Sequence, residues 1–396
     1  MRIDLITKEY PPFIYGGAGV HVAELVRVLR KHVDVKVRCF GDVRDETDTF
    51  SYGHSAEFDK VNGALQTMAT DLSMVSDVAG ADLVHSHTWY ANFAGQVAAT
   101  LHGIPHLITA HSLEPLRPWK EEQLGGGYRL SSWVERTAYE GATGIIAVSD
   151  GMRKDILRAY PQLDPNKVSV VHNGIDLEAF QSANNPDLVR ANGIDPDQRS
   201  VVFVGRITQQ KGLPYLLKAA RELPSDVQLV LCAGAPDTQQ ILQEVTGLVE
   251  ELRKVRDNVI WVEKHLSRPE LIAILSAATV FACPSIYEPL GIVNLEAMAC
   301  SIPVVATATG GIPEVVAHNE TGLLVEIEQL QDGSGKPLDE KKFVSDFAAA
   351  LNQMLESPRI SEFGAAGRKR VEQHFSWDSI AEQTLSVYRG AIANFK

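Results

Sequence analysis

The feature that most constrains the fold is an alternation, along the whole chain, of short apolar runs typical of β-strands with helical segments. A helix between two strands lets those strands lie parallel, so the pattern predicts α/β domains with helices on both faces of a parallel sheet. The strand-like runs are Ile3 to Ile6, Leu83 to His87, His106 to Ala110, Gly144 to Val148, Val168 to His172, Val201 to Val204, Gln228 to Cys232, Val259 to Trp261, Val280 to Ala282, Val304 to Ala306 and Leu323 to Val325.

The spacing of these runs divides the chain into two halves. Residues 174–199 lie between the halves and are rich in Asn, Asp, Pro and Gly, which is typical of an interdomain connection. We therefore predict a first domain over 1–173, a linker over 174–199 and a second domain over 200–376, two doubly wound domains facing each other across a cleft. The amphipathic segment 377–396 predicts a terminal helix that packs on one of them.

Composition excludes several classes of protein. The 396 residues are 45% hydrophobic, which is enough for two cored domains, and the longest apolar runs fall far short of the roughly 20 residues that span a bilayer. A formal charge of −13 argues against a nucleic-acid or anionic-membrane partner. The four cysteines show no metal or disulfide spacing, and the chain enters a strand pattern at once, so we expect a cytoplasmic protein.

Two carboxylates follow the apolar run Val280 to Ala282. Glu288 lies in a turn made by Pro289 and Gly291, and Glu296 lies inside the helical stretch Ile292 to Ala299. In open α/β sheets, ligands bind outside the carboxyl ends of the strands, where helix N-termini favour anions. A turn residue and a solvated helix residue are the alternative interpretation of this pair.

Two cations follow the first strand of the second half. Arg206 and Lys211 bracket a turn between Gly205 and Gly212, before a helix predicted over Leu213 to Leu223. Preorganised cations at such a place can stabilise the negative charge of a departing nucleoside diphosphate. The only closely spaced aspartates of the kind that hold a metal in metal-dependent transferases are Asp195 and Asp197, which lie in the linker and fit a turn. We therefore expect no metal requirement.

A glycine-rich loop, Tyr15 to Gly19, precedes a helix predicted over Val20 to Arg30. Gly16, Gly17 and Gly19 would let backbone N–H groups approach a phosphate. A dinucleotide fingerprint would place its glycines directly after the strand, but nine residues separate Ile6 from Gly16. A plain flexible turn is the other alternative.

Histidines and aromatic residues follow two strands of the first half. His85 and His87 end one strand, with Trp89 and Tyr90 behind them, and His111 follows the next strand. No acidic or thiol ligand completes a metal site at this spacing, so we expect none. His111 lies at a strand end where ligands bind, and a core histidine bonded to the backbone is the alternative.

A mixed basic and aromatic segment comes next. Its cations are Arg117, Lys120, Arg129 and Arg136, with Trp119 and Tyr128 among them. Aromatic rings stack on sugars and arginines fork onto phosphate oxygens, so we predict an acceptor site, open to a phosphorylated acceptor. An exposed loop without a ligand is the alternative.

Glu288, seven further residues and Glu296, together with Arg206 and Lys211, resemble the signature of retaining nucleotide-sugar glycosyltransferases that include bacterial glycogen synthase, known as GT-B by fold. The resemblance runs over nearly the whole chain and is nearest to the short, actinobacterial type of glycogen synthase. Such enzymes use ADP-glucose to extend α-1,4-glucan or to build α-maltose 1-phosphate on glucose 1-phosphate. In this family the terminal helix crosses back to the first domain, and we expect the same here.

The resemblance implies roles for the predicted site residues. Arg206 and Lys211 contact the donor diphosphate, Glu288 accepts hydrogen bonds from the donor sugar, Glu296 holds the ribose hydroxyls, and His111 meets the reacting centre. Gly16, Gly17, Gly19, Leu290 and Gly291 complete the donor contacts, while Tyr15 and Trp89 meet the acceptor, to which the chemistry of the four cations was assigned above. Many glycogen synthases carry Lys-Thr-Gly-Gly where this chain has Ile14-Tyr15-Gly16-Gly17, so a loop lysine is missing.

The resemblance implies transfer of glucose with retention, through an oxocarbenium-like state in which the leaving phosphate oxygen helps to deprotonate the acceptor. The sequence leaves open ADP-glucose against UDP-glucose and glycogen against glucose 1-phosphate. A transferase for another nucleotide sugar, a nucleotide-sugar epimerase and a sugar-binding protein without catalysis are the alternatives. No cofactor is expected, and the partners would be the nucleotide sugar, the acceptor and, if the enzyme is oligomeric, a second copy in a homodimer.

Overall fold

The computed structural model describes residues 1–14, 16–330 and 332–395. The chain divides into two compact units, the first made of Met1–Gly174 and Trp377–Lys396, and the second of Ile175–Ser376. The strands are β1 (Arg2–Thr7), β2 (Asp34–Phe40), β3 (Thr49–Tyr52), β4 (Leu83–His87), β5 (His106–Ala110), β6 (Gly144–Ala147), β7 (Val168–Val170), β8 (Ser200–Arg206), β9 (Gln228–Gly234), β10 (Val259–Val262), β11 (Val280–Cys283), β12 (Val304–Thr307) and β13 (Gly322–Val325). The helices are α1 (Gly17–Leu29), α2 (Gly63–Val75), α3 (Trp89–His102), α4 (Glu121–Leu124), α5 (Gly127–Gly141), α6 (Asp150–Ala159), α7 (Pro186–Ala191), α8 (Leu213–Ala219), α9 (Gln239–Arg253), α10 (Arg268–Ala277), α11 (Ile292–Ala299), α12 (Ile312–Val315), α13 (Glu340–Leu355), α14 (Ile360–His374) and α15 (Trp377–Asn394).

Each unit is built on one parallel sheet, as predicted. The order of the described strands is β3-β2-β1-β4-β5-β6-β7 in the first sheet and β10-β9-β8-β11-β12-β13 in the second. In each sheet, successive strands are added first on one side of the starting strand and then on the other. The strand order therefore reverses between β1 and β4 in the first unit and between β8 and β11 in the second. Such a reversal opens a crevice at the carboxyl ends of the two central strands, where ligands bind in doubly wound folds.

Two strands of the first sheet, β2 and β3, were not predicted. The apolar and polar residues of β2 alternate, and its polar residue Arg38 is buried against the carboxylate of Asp4 at 2.6 Å. The buried ion pair explains why the strand lacks the continuous apolar run by which the other strands were recognised. The short strand β3 then pairs with β2 at the sheet edge.

The terminal helix α15 belongs to the first unit and completes its core, which confirms the predicted return of the chain. Ile380, Leu385 and Tyr388 pack with residues of β1 and α1, such as Leu5 and Val22. The Tyr388 hydroxyl lies 2.7 Å from Nδ1 of His85 on β4. The whole of the second unit, Ile175–Ser376, therefore separates α15 in sequence from the rest of the core that it completes.

The segment 174–199 was predicted as a linker, but all of it after Gly174 packs within the second unit. It includes the short helix α7, which contacts α10, and the side chain of Gln228 accepts a hydrogen bond from the amide of Asp195 at 3.0 Å. Across the described ranges of the chain, none of the helices combines the length and apolar character needed to cross a membrane.

Candidate active site

The second unit brings the predicted cations and Glu288 together at the reversal of its sheet. Arg206 is the last residue of β8, and Lys211 lies five residues later, before the first turn of α8. Glu288 lies on the loop after β11, the neighbouring strand, which pairs with β8 through Val280 and Val201. The parallel arrangement of β8 and β11 therefore brings both loops to the same edge of the sheet.

Lys211 and Glu288 form an ion pair across the two loops. The Nζ atom of Lys211 lies 2.6 Å from Oε2 of Glu288, and only 17% and 9% of these side chains are exposed. Ser285 also donates a hydrogen bond to the same carboxylate oxygen at 3.2 Å. Burial lowers the pKa of Lys211, but its attraction to Glu288 and Cys283 and its hydrogen bond with Glu288 outweigh burial and raise the pKa above its usual value. Lys211 is therefore charged near neutral pH.

The loop carrying Glu288 is held by close backbone contacts on two sides. The amide of Gly311 donates a hydrogen bond to the carbonyl of Glu288 at 3.0 Å. Gly310 has φ +54°, and a Cβ at that position would lie 2.0 Å from the same carbonyl oxygen. Gly212, with φ +64°, approaches the carbonyl of Pro284 just as closely. Glycine is required at both positions, because any side chain would push the loop away.

Arg206 contacts an acidic residue that the sequence interpretation missed. Its guanidinium forms an ion pair with Asp237, a buried carboxylate between β9 and α9. The Arg206 side chain remains 38% exposed, so the arginine is oriented by Asp237 and still reaches solvent. Asp237 is recognised as the partner of Arg206 only because β8 and β9 are neighbours in the sheet. Its sequence context, between Pro236 and Thr238, is typical of any helix start.

Glu296 lies on α11, and Leu290 and Gly291 occupy the turn before that helix. Burial raises the pKa of Glu296 to about 7, while the positive charges of Arg268 and Lys211 act in the opposite direction. Arg268, on α10, is a second residue that the sequence interpretation missed. A carboxylate with a pKa near 7 gains stability when hydroxyl groups donate hydrogen bonds to its charged form.

In the first unit, three histidines converge near the carboxyl ends of β4 and β5. Nδ1 of His87 lies 3.0 Å from Nε2 of His111. The ring of His21, on α1, packs edge-on against His111 and against Trp377 of α15, with centroids 4.8 Å and 5.3 Å apart. His21 and Trp377 were not among the predicted site residues, because α1 and α15 meet β4 and β5 only in the folded unit.

Burial keeps these imidazoles neutral. It lowers the pKa of His21 to about 4 and lowers those of His87 and His111 well below the usual value, with the neighbouring histidines adding to the effect. Nitrogen atoms of the three rings lie within 4.8 Å of one another, a grouping that could hold a metal ion. The contact between His87 and His111 has the length of a hydrogen bond between neutral rings.

The glycine-rich loop is closed by an acidic residue. Gly16 precedes α1, and its amide donates a hydrogen bond to Oε2 of Glu9 at 2.9 Å. Gly19 packs against the Glu9 side chain so closely that a Cβ would lie 2.8 Å away. Gly17 begins α1. Tyr15, predicted to meet the acceptor, lies outside the described residues.

The predicted acceptor residues separate into two groups. Trp89 is buried and its ring packs on that of Tyr90, with centroids 4.2 Å apart. Arg117 donates a hydrogen bond to Ser112 at 2.7 Å, and Lys120 is buried beside Glu114. Arg129 and Arg136, in contrast, are exposed on α5.

Comparison with known proteins gives the class of the protein. Residues 184–370 match the family described as glycosyl transferases group 1, and residues 15–179 match Glycosyltransferase Family 4. The first match lies within the second unit, and the other covers most of the first unit and ends at residue 179, just inside the second. Together with paired parallel sheets of the GT-B type, they define a glycosyltransferase.

Two named relatives narrow the class. The chain is 53% identical over 393 residues to alpha-maltose-1-phosphate synthase of Mycolicibacterium smegmatis, covering 98% of this chain and 99% of the relative. It is 51% identical over 397 residues to the enzyme of that name from Mycobacterium tuberculosis, covering 99% and 100%. The chain belongs to the glycosyltransferase family that contains these synthases. Among solved structures, sucrose-phosphate synthase from Thermosynechococcus elongatus superposes with a TM-score of 0.79 at 25% identity, covering 99% of each chain.

Proposed function

We propose that the protein transfers glucose from ADP-glucose to glucose 1-phosphate, with retention, and so forms α-maltose 1-phosphate. The observation that carries the donor half of this proposal is the group formed by Arg206, Lys211 and Glu288 at the sheet reversal of the second unit. The acceptor half is supported by the names of the two relatives that are more than half identical to this chain.

In the proposed reaction, the bond between the glucose C1 and the β-phosphate oxygen breaks, and ADP leaves. A hydroxyl oxygen of the acceptor forms the new bond to C1, and its proton passes to the leaving phosphate. Arg206 and Lys211 would stabilise the charge that develops on the diphosphate. These side chains supply the counter-charge, so we propose that no divalent ion is required.

Lys211 is already paired with Glu288, and the incoming diphosphate would share its charge. Glu288 would then accept hydrogen bonds from the donor sugar. Its Oε2 atom is engaged by both Lys211 and Ser285, which argues against its acting as a covalent nucleophile of the kind found in retaining glycosidases. Glu296, on the adjacent helix, would accept hydrogen bonds from the ribose hydroxyls, for which two carboxylate oxygens are suited.

The test combines two donors with two acceptors. ADP-glucose and UDP-glucose are each incubated with glucose 1-phosphate or with glycogen, and the products are analysed by NMR for the anomeric configuration and the linkage. We expect α-maltose 1-phosphate and ADP as the main products. Transfer to glycogen alone would make the protein a glucan synthase, and turnover of the sugar nucleotide without any acceptor would point to an epimerase.

Two controls address the mechanism. Chelation with EDTA should leave the rate unchanged, and a reversible loss of activity would contradict the metal-free proposal. Mass spectrometry of the Glu288 peptide after rapid quenching should find no attached glucose, whereas a trapped glycosyl group would establish Glu288 as the nucleophile.

A further inference from the structure

The first unit has a cationic cluster at the reversal of its own sheet. Lys8 directly follows β1, Tyr90 lies in the first turn of α3 after β4, and Arg117 and Lys120 lie on the segment after β5. Strands β1, β4 and β5 are neighbours, and the strand order reverses between β1 and β4. The cluster therefore lies where doubly wound sheets bind ligands.

Two amines of this cluster approach one aromatic ring. The Nζ atom of Lys8 lies 3.8 Å from the centroid of the Tyr90 ring, and that of Lys120 lies 5.7 Å from it. The positive charge of Arg117 lies near enough to Lys120 to lower the pKa of the Lys120 amine. The Nε atom of Arg117 is buried and has no hydrogen-bond partner among the described residues. Two amines from two loops thus face the Tyr90 ring, and Arg117 adds a third positive charge near Lys120.

The acidic groups near the cluster are already engaged. Glu114 accepts hydrogen bonds from Lys120 at 3.4 Å and from Ser131 at 2.7 Å. Glu135 is buried, and burial together with repulsion from Glu114 raises its pKa well above the usual value, which disfavours its charged form. The Glu9 carboxylate accepts the hydrogen bond from Gly16 and also attracts the neighbouring Lys8 amine, which acts against the effect of burial on that amine.

Burial also acts on the amines. It lowers the pKa of Lys8, and burial followed by repulsion from Arg117 lowers that of Lys120 to about 8. An amine under such conditions gains more from an added anion than an exposed lysine does, because the anion offsets the lost hydration. A phosphate group, with several acceptor oxygens and up to two negative charges, suits two amines at one ring with a guanidinium near one of them.

We propose that Lys8, Arg117 and Lys120 form, around Tyr90, a subsite for the phosphate of the acceptor, and that this subsite selects a phosphorylated acceptor over a neutral glucan end. The identity of the acceptor rests on the function proposed above. Arg129 and Arg136, exposed on α5, are not part of this subsite.

The test uses the Lys8→Met variant, which removes one charge and keeps much of the side-chain length. The KM for glucose 1-phosphate should rise at least tenfold, while the KM for glycogen, measured with the same donor, should stay within twofold of wild type. Lys154→Met, at an exposed position on α6 of the same unit, is the matched control and should change neither value. An equal effect of Lys8→Met on both acceptors, or no effect on either, would overturn the proposal.

Two further measurements distinguish a subsite for acceptor phosphate from a subsite for donor phosphate and from a cluster that serves only the fold. If Lys8→Met raised the KM for ADP-glucose and left that for glucose 1-phosphate unchanged, the cluster would hold donor phosphate, and the acceptor assignment would be wrong. Arg117→Met provides a second variant that leaves the buried pair of Lys120 and Glu114 in place, and it should show the same acceptor selectivity as Lys8→Met. Circular dichroism and thermal unfolding would establish that both variants are folded.

Direct binding distinguishes failure of the subsite from failure of the proposed function. In calorimetry with the full chain, glucose 1-phosphate should bind to wild type at least tenfold more tightly than to Lys8→Met, and glucose should not discriminate between them. A wild-type protein that transferred no glucose yet showed this Lys8-dependent binding would retain the subsite and lose the function. If both variants transferred glucose to glucose 1-phosphate as well as wild type does, the proposed function would stand and the subsite would be wrong.

Discussion

Lys211 and Glu288, 77 residues apart in sequence, form an ion pair of 2.6 Å that joins the loops after two adjacent parallel strands. The pair is largely shielded from water, so each charge depends on the other for compensation. Removing one partner leaves a buried charge uncompensated, which costs more than the net value of the pair. A bound diphosphate would supply a second anion to the same lysine.

The Glu288→Gln variant should therefore lose turnover far more than donor affinity. We expect kcat to fall by about a hundredfold or more, equivalent to roughly 3 kcal/mol of barrier, with the Kd for ADP-glucose changed by only a few fold. Steady-state kinetics and calorimetry give the two values. Glu250→Gln, at an exposed position on α9, is the control, and retention of full activity by Glu288→Gln would contradict the assigned role.

Arg206 is held by Asp237 and remains partly exposed, which suits a side chain that meets a ligand. Arg206→Met should lower kcat/KM by about a hundredfold, because a charge-assisted contact to the developing diphosphate is lost. The exposed Arg221 provides the matched control as Arg221→Met. A loss confined to thermal stability, with normal kinetics in the folded fraction, would show that Arg206 serves only the fold.

The raised pKa of Glu296 has a consequence for stability. Its folded-state value of about 7 lies above the ordinary 4.5, so the folded protein holds this proton more tightly than the unfolded chain. The resulting stability is fully present below about pH 4.5 and is lost as the pH rises through 7. The effect of Glu296→Gln on the free energy of unfolding of the ligand-free protein should therefore depend on pH. At pH 8 it should be more stabilising than at pH 4.5, by up to roughly 3 kcal/mol. Denaturant unfolding at the two pH values measures this difference, and an equal effect at both would refute it.

His106 shows the opposite linkage. Burial lowers its pKa from 6.5 to about 3, so the unfolded chain binds a proton that the folded protein does not. This proton binding lowers the free energy of unfolding. The loss of stability is absent above pH 6.5 and reaches about 2 kcal/mol at pH 5. His106→Gln loses the contact to Ser86, but its destabilisation should be about 2 kcal/mol smaller at pH 5 than at pH 7. His32, which is exposed, serves as the control in the variant His32→Gln, and a destabilisation of His106→Gln that did not vary with pH would exclude the linkage.

Much of the fold could be predicted because parallel strands buried on both faces are continuous apolar runs. The runs Val280 to Ala282 and Val304 to Ala306 were recognised in this way, each one residue shorter than its strand, and α11 has the predicted bounds. The strand β2 was missed because Arg38 interrupts its apolar pattern, and the compensating charge, Asp4, lies on another strand. The residue pattern of β2 alone cannot show that a carboxylate on another strand compensates the charge of Arg38.

The candidate site follows the same division. Arg206, Lys211, Glu288 and Glu296 were predicted from their places after strands and from the resemblance of their spacing to a known signature. Asp237, Arg268 and His21 were not, because Asp237 lies in an ordinary loop before a helix, the other two lie in ordinary helical sequence, and each acquires its role from a neighbour on another element. Lys8 belongs with these, since only the positions of β1 and β4 bring it to Tyr90.

The sequence by itself determined the alternation of strands and helices, the two halves of the chain and the kind of chemistry that follows each strand, because these depend on local periodicity and residue type. Only the tertiary structure decided which loops meet, which carboxylates are neutralised and which histidines stay uncharged. Those properties depend on burial and on charges brought close from distant parts of the chain, and both arise when parallel strands align their carboxyl ends at one edge of a sheet.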